Sequence, residues 1–187
     1  MRKIVCAILL MMMFGSAFSQ SKNKSPVEIK TNLLNLIAGG PSAGLEYSLQ
    51  KNWSIMLSIA SGRIDYGDFG GITRYKTTTL EFRKYFYDHL LFAGPYIKNI
   101  EKQISWQESI IGGTIPFSVG QDRDFTGNGL SAGITTGIKF PLSYKLNLEL
   151  NSQLGYGRYY EMTDKKNNLP SGNYLDARIG VWLGFRF

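Results

Sequence analysis

Six charged side chains alternate with apolar neighbours in a way that could bring them together: Glu46, Glu81, Arg83, Lys139, Glu149 and Arg178. Carboxylates and cations gathered on one face of β structure can form a buried ion-pair network, a path for protons, or a two-carboxylate hydrolase. The hydrolase needs an open cleft between its carboxylates. Lys30 shares the parity of this set. His89, next to Asp88, is the one imidazole in 187 residues, and it falls in a two-residue turn where no apolar wall would tune a base. Asp122 and Asp124 flank Arg123 in a segment without the glycine-anchored spacing of a calcium loop. Gly112-Gly113 and Gly127-Asn128-Gly129 read as turns, since no Lys-Ser/Thr follows as a phosphate loop requires. With one Cys and one His, the sequence offers no metal centre, and no cofactor or catalytic residue is expected.

The elements that must position these charges are strands. Trp53, Ile55, Leu57 and Ile59 fall on one face of a period-2 segment, and Leu130 to Phe140, Leu146 to Tyr156 and Ile179 to Phe187 repeat the alternation. Eight strands are predicted, over 27–38, 43–50, 53–64, 73–87, 90–102, 128–140, 146–160 and 174–187. Their connections alternate between tight turns and long segments rich in Gly, Asn and Asp. That rhythm predicts an all-β, eight-stranded antiparallel up-and-down barrel with one short-turn rim and one long-loop rim.

Alternation alone leaves the inside undecided, because a soluble barrel buries its apolar face and a membrane barrel turns it to lipid. The polar face decides. It carries many small residues (Gly44, Ser58, Ser131, Gly133, Gly137, Gly155) and charges of both signs, as a narrow lumen requires. Aromatics also crowd the predicted strand ends, among them Tyr47, Trp53, Phe82, Tyr85, Phe92, Phe140, Tyr156 and Tyr159, as interfacial girdles would. A transmembrane barrel with an ion-pair plug is therefore expected, and an eight-stranded lumen leaves a hydrolytic cleft little room.

Arg2 and Lys3, the apolar stretch Ile4 to Phe14 and Ala17-Phe18-Ser19 have the layout of a signal peptide cleaved before Gln20. The expected organisation is a signal peptide at 1–19, a short periplasmic segment at 20–26 and the barrel at 27–187. Cys6 would leave with the leader. Loss of Arg2 and Lys3 lowers the net charge from +7 to +5, spread without a basic run, which argues against a nucleic-acid partner.

The stretches "IKTNLLNLIAGGPSAGLEYSLQKNWSI", "LEFRKYF" and "GLSAGITTGIKFPLSYKLNLELNSQLGYG" resemble the small outer-membrane proteins of unknown function common in Bacteroidota. The resemblance implies an outer-membrane barrel and transfers no catalytic residues. Leu146 stands where that family carries Trp in the seventh strand. The closing strand, with Phe185 and Phe187, resembles the terminal signal read by the barrel-assembly machinery.

The sequence thus predicts a non-enzymatic outer-membrane barrel of a Gram-negative bacterium with a structural or surface-interaction role. A narrow pore for ions or very small solutes is the alternative, and a lipid A-modifying enzyme a more distant one, since His89 would sit at the periplasmic rim. Expected partners are outer-membrane lipid, lipopolysaccharide and the assembly machinery. The apolar residues of the longest connection, 103–127, including Ile104, Trp106, Ile110 and Phe117, either extend the fifth and sixth strands above the membrane as a hairpin turning at Gly112-Gly113 or form a patch, with Trp106, Ile110 and Phe117, for docking a surface protein.

Overall fold

In the computed structural model the described residues are 27–49, 52–65, 72–87, 90–105, 125–164 and 172–187. The period-2 segments become β1 (Val27–Asn32), β2 (Ser42–Ser48), β3 (Trp53–Asp65), β4 (Ile72–Phe86), β5 (Leu91–Ser105), β6 (Phe125–Pro141), β7 (Leu146–Asp164) and β8 (Asn173–Arg186). Each pairs antiparallel with the next, and β8 pairs with β1, which closes the barrel in chain order. Closure removes the sheet edge that an open antiparallel sheet would expose. No helix among the described residues is long and apolar enough to cross a membrane.

Burial is inverted relative to a water-soluble protein. Ile59, Ile97, Ile134 and Leu154 on the outside are each more than half exposed, whereas Glu81, Arg83 and Glu149 inside are 0% exposed. Glycine makes room for the large inward residues. A Cβ on Gly137 would meet the Phe92 ring at 2.4 Å, and one on Gly157 would meet the Tyr174 ring at 2.3 Å. A bulge opposite Asn128 and Gly129 shifts the inward parity of β7 from Tyr159 to Met162, and both pack with Ile104 and Tyr174 near the long-loop rim.

The first strand is shorter than predicted. Residues 33–37, expected as strand, form a five-residue helix, α1 (Leu33–Ile37). Asn32 caps it by accepting from the Asn35 N–H, and the buried Asn35 amide then donates to the carbonyls of Gly40, Pro41 and Ser61 at 2.9–3.0 Å. These bonds, and the Tyr75 hydroxyl donating to Asn35 Oδ1, fold the connection onto β3. The chain passes so close to β3 that a Cβ on Gly40 would lie 1.7 Å from the Ser61 carbonyl, and Gly39 takes φ +79°. In the opposite direction, β5 to β7 run beyond their predicted ends, and Ile104, two residues past the predicted end of β5, is a buried lumen residue of that strand.

Three aromatics expected at the exterior point inward. Tyr85, Phe92 and Tyr159 are buried, while Tyr47, Phe82, Phe140 and Tyr156 face outward. Tyr85 follows the parity of Glu81 and Arg83, which fixes its side of the strand.

Candidate functional site

Every second residue of a barrel strand faces the lumen, so Glu28 and Lys30 on β1, Glu46 on β2, Glu81 and Arg83 on β4, Lys139 on β6 and Glu149 on β7 all point inward. Pairing sets their heights: Glu28 lies opposite Glu46 and Arg186, and Lys139 opposite Glu149. The result is a dense cluster in the half of the lumen nearer the short turns.

Arg83 is its hub. The guanidinium donates from Nε to Glu81 at 2.9 Å and from Nη1 to Glu149 at 3.1 Å, with Glu46 at 3.6 Å, and it stacks on the Phe92 ring at 4.3 Å. The Lys30 ammonium is shared among Glu149, Glu46 and Glu28, the last at 3.1 Å. Lys139 meets Glu46 at 3.0 Å and Glu28 at 3.3 Å, and Arg186 meets Glu28 at 3.1 Å. Neutral donors add to this: Ser54 and Tyr85 donate to Glu46, and Gln153 donates to Glu81 at 3.0 Å. Four carboxylates therefore face four cations among the described residues. Such balance lets a low-dielectric interior hold this many charges.

A smaller group sits further toward the long-loop rim. Asp176 accepts from Lys98 at 2.8 and 2.9 Å, from the Tyr96 hydroxyl at 2.9 Å and from Ser131 at 2.6 Å. Beyond it lies a cavity of about 460 Å3 lined by residues of α1, β3, β4, β5 and β8.

Of the charges singled out in the sequence, Glu46, Glu81, Arg83, Lys139 and Glu149 come together. Arg178 does not join them. It is half-buried in the cavity wall, where Nη1 donates to Thr77 Oγ1 at 3.5 Å, with no carboxylate within ion-pair distance among the described residues. Its parity was right and its height wrong: it is paired with Gln153, several residues along β8 from Trp182, the partner of Glu149. Sequence reasoning missed Glu28, Lys98 and Asp176. The alternation of Glu28, Lys30 and Asn32 with Val27, Ile29 and Thr31 is the signal that could have found the first. Phe185 and Phe187 meet edge-on at 5.3 Å beside the short-turn rim. The leader residues, His89, the Asp122–Asp124 segment, and Trp106, Ile110 and Phe117 lie outside the described residues.

The fold is similar to several solved barrels at low identity. Neisserial surface protein A aligns at 10% identity over 89% of this chain and 100% of its own, with a TM-score of 0.49. The N-terminal β-barrel domain of Pseudomonas aeruginosa OprF aligns at 15% identity over 88% of this chain and 100% of its own, with a TM-score of 0.46. The Yersinia pestis outer membrane protein Ail aligns at 13% identity over 88% and 100%, with a TM-score of 0.43. No curated protein matches the sequence. One family does, over residues 6–179, and the chain belongs to it: the family of proteins of unknown function DUF3575.

Proposed function

We propose that this chain is an outer-membrane β-barrel with a non-enzymatic structural or surface-interaction role, its lumen closed by the Arg83-centred ion-pair plug. The inversion of burial carries the reading. A belt of Leu, Ile and aromatic side chains around a closed barrel would drive aggregation in water and is solvated by lipid. The short-turn rim then faces the periplasm and the long-loop rim the exterior. Strands of 15 to 19 residues exceed the 9–11 that a tilted membrane strand needs, so β5 to β7 carry the barrel wall beyond the hydrocarbon layer.

Every carboxylate of the plug is held by cations, which leaves none of those four open to a substrate as a general acid or base. The long connection bearing Trp106, Ile110 and Phe117 is the surface offered to a partner, and lipid, lipopolysaccharide and the assembly machinery are the surroundings this placement implies.

Two measurements test the reading. Unboiled protein should migrate differently from boiled protein on a denaturing gel, since a lipid-stable barrel resists detergent until heated; identical mobility would overturn the barrel in membranes. Reconstituted into planar bilayers, the protein should give no steady current. A stable single-channel conductance would replace the plug with the narrow-pore reading.

A further inference from the structure

The plug occupies only the short-turn half of the lumen, and the cavity beyond it has features the plug lacks. Its 460 Å3 falls within the roughly 300–1,000 Å3 of small-molecule sites. Lys98, Lys102, Arg178 and Asp176 bring charge to its wall. Asp176 is already matched to Lys98, whereas Arg178, among the described residues, hydrogen-bonds the Thr77 hydroxyl and no carboxylate. The Tyr174 hydroxyl, buried in the same wall, has no hydrogen-bond partner among the described residues. A guanidinium without a carboxylate beside such a hydroxyl is a cradle for an anion.

The other walls are apolar, and they reach the outside of the barrel. β1 pairs with β8 only between Glu28↔Arg186 and Asn32↔Trp182. There the chain leaves the sheet as α1, while β8 continues back to Asn173 with β7 alone beside it. α1 packs beside β8, but no backbone hydrogen bond joins them among the described residues, so one edge of β8 from Tyr174 to Val181 meets a side-chain seam instead of a paired strand. Leu34 and Ala38 line the cavity from one side of this seam and Ala177 and Ile179 from the other, yet Leu34 is 41% and Ile179 57% exposed on the exterior. The cavity therefore opens sideways, at the level of the apolar belt, where an unpaired strand edge is otherwise unfavourable in lipid.

We infer that this cleft binds a phosphorylated acyl lipid drawn from the surrounding membrane, its anionic head against Arg178 and Tyr174 and its chain leaving through the α1–β8 seam. The inference rests on the membrane placement proposed above. Free phosphate would satisfy the cations but would leave the apolar seam without an occupant.

The test uses the full chain in phosphatidylcholine nanodiscs doped with lysophosphatidic acid that carries a photoactivatable tail. Adducts are expected on α1 and residues 173–181, with Arg178→Gln lowering their yield about tenfold, as loss of one charge-assisted contact predicts, and Arg178→Lys restoring part of it. The same tail on an uncharged glycerol head should give few adducts there, and excess inorganic phosphate should compete weakly. Gel mobility before and after boiling is read on every sample. Loss of the heat shift in the wild type would sink the membrane reading itself. With the heat shift intact, adducts spread evenly around the barrel, equal capture of the uncharged tail, or a yield unchanged by Arg178→Gln would overturn the inference. Full displacement by inorganic phosphate would overturn the lipid in favour of a free anion.

Discussion

In the half of the barrel nearer the short turns, Glu28, Glu46, Glu81 and Glu149 are locked against Lys30, Arg83, Lys139 and Arg186, and the charges cancel. In the other half, Asp176 is matched to Lys98, Arg178 meets no carboxylate among the described residues, and a cavity remains. The same residue types on the same face of one barrel thus make a filled plug at one level and an unfilled cleft at another. Charge count and wall continuity make the difference. Where β1 and β8 are paired, the ions of the lumen are matched; where α1 replaces β1, a cavity remains and Arg178 meets no carboxylate among the described residues.

The contrast can be broken most severely at its hub. Arg83→Ala should strand Glu81 in the lumen, leave Glu149 to Lys30 alone, and cost about 3–5 kcal/mol in urea unfolding from lipid vesicles. A loss below about 1 kcal/mol would mean that the plug is not what holds this half together. Asp176→Ala should cost about 2–3 kcal/mol, since Lys98, Tyr96 and Ser131 all lose their acceptor. The double change Lys98→Met/Asp176→Leu should recover most of that, because an apolar pair can replace a buried ion pair nearly without loss. A double change as costly as the single one would show that the ion pair itself stabilises the fold.

Asn35→Ala removes three donations to backbone carbonyls and should cost about 2 kcal/mol in the same assay, loosening the connection that seats α1 on β3. Smaller still is Arg178→Ala, at less than about 1 kcal/mol, because no carboxylate depends on it. Tyr174→Phe should be within about 0.5 kcal/mol of wild type, since its hydroxyl has no partner to lose. If either of these two destabilised the barrel as strongly as Arg83→Ala, the division between a structural half and a binding half would fail.

Much of this was legible from the chain alone. Parity is a local property: Glu81, Arg83 and Tyr85 lie on one side of β4 whatever surrounds them, so the polar face, the strand count and the apolar belt follow from alternation. The inward position of Tyr85 was available by the same rule and was obscured by its place near a strand end. Asn32, a residue suited to capping, precedes Leu33-Leu34-Asn35, yet alternation favoured strand there; the helix is held by Asn35 reaching Ser61, a contact 26 residues away that no local pattern contains.

What the sequence determined is which side of the wall each residue occupies, because a strand repeats every two residues and cannot do otherwise. What only the tertiary structure decided is height. Whether Arg178 meets Glu149 or Thr77, and whether Lys30 sits at the rim or at the heart of the plug, depends on the stagger accumulated strand by strand around the ring and on where β1 stops pairing with β8. Closure fixes that stagger globally, so no single segment of the chain encodes it.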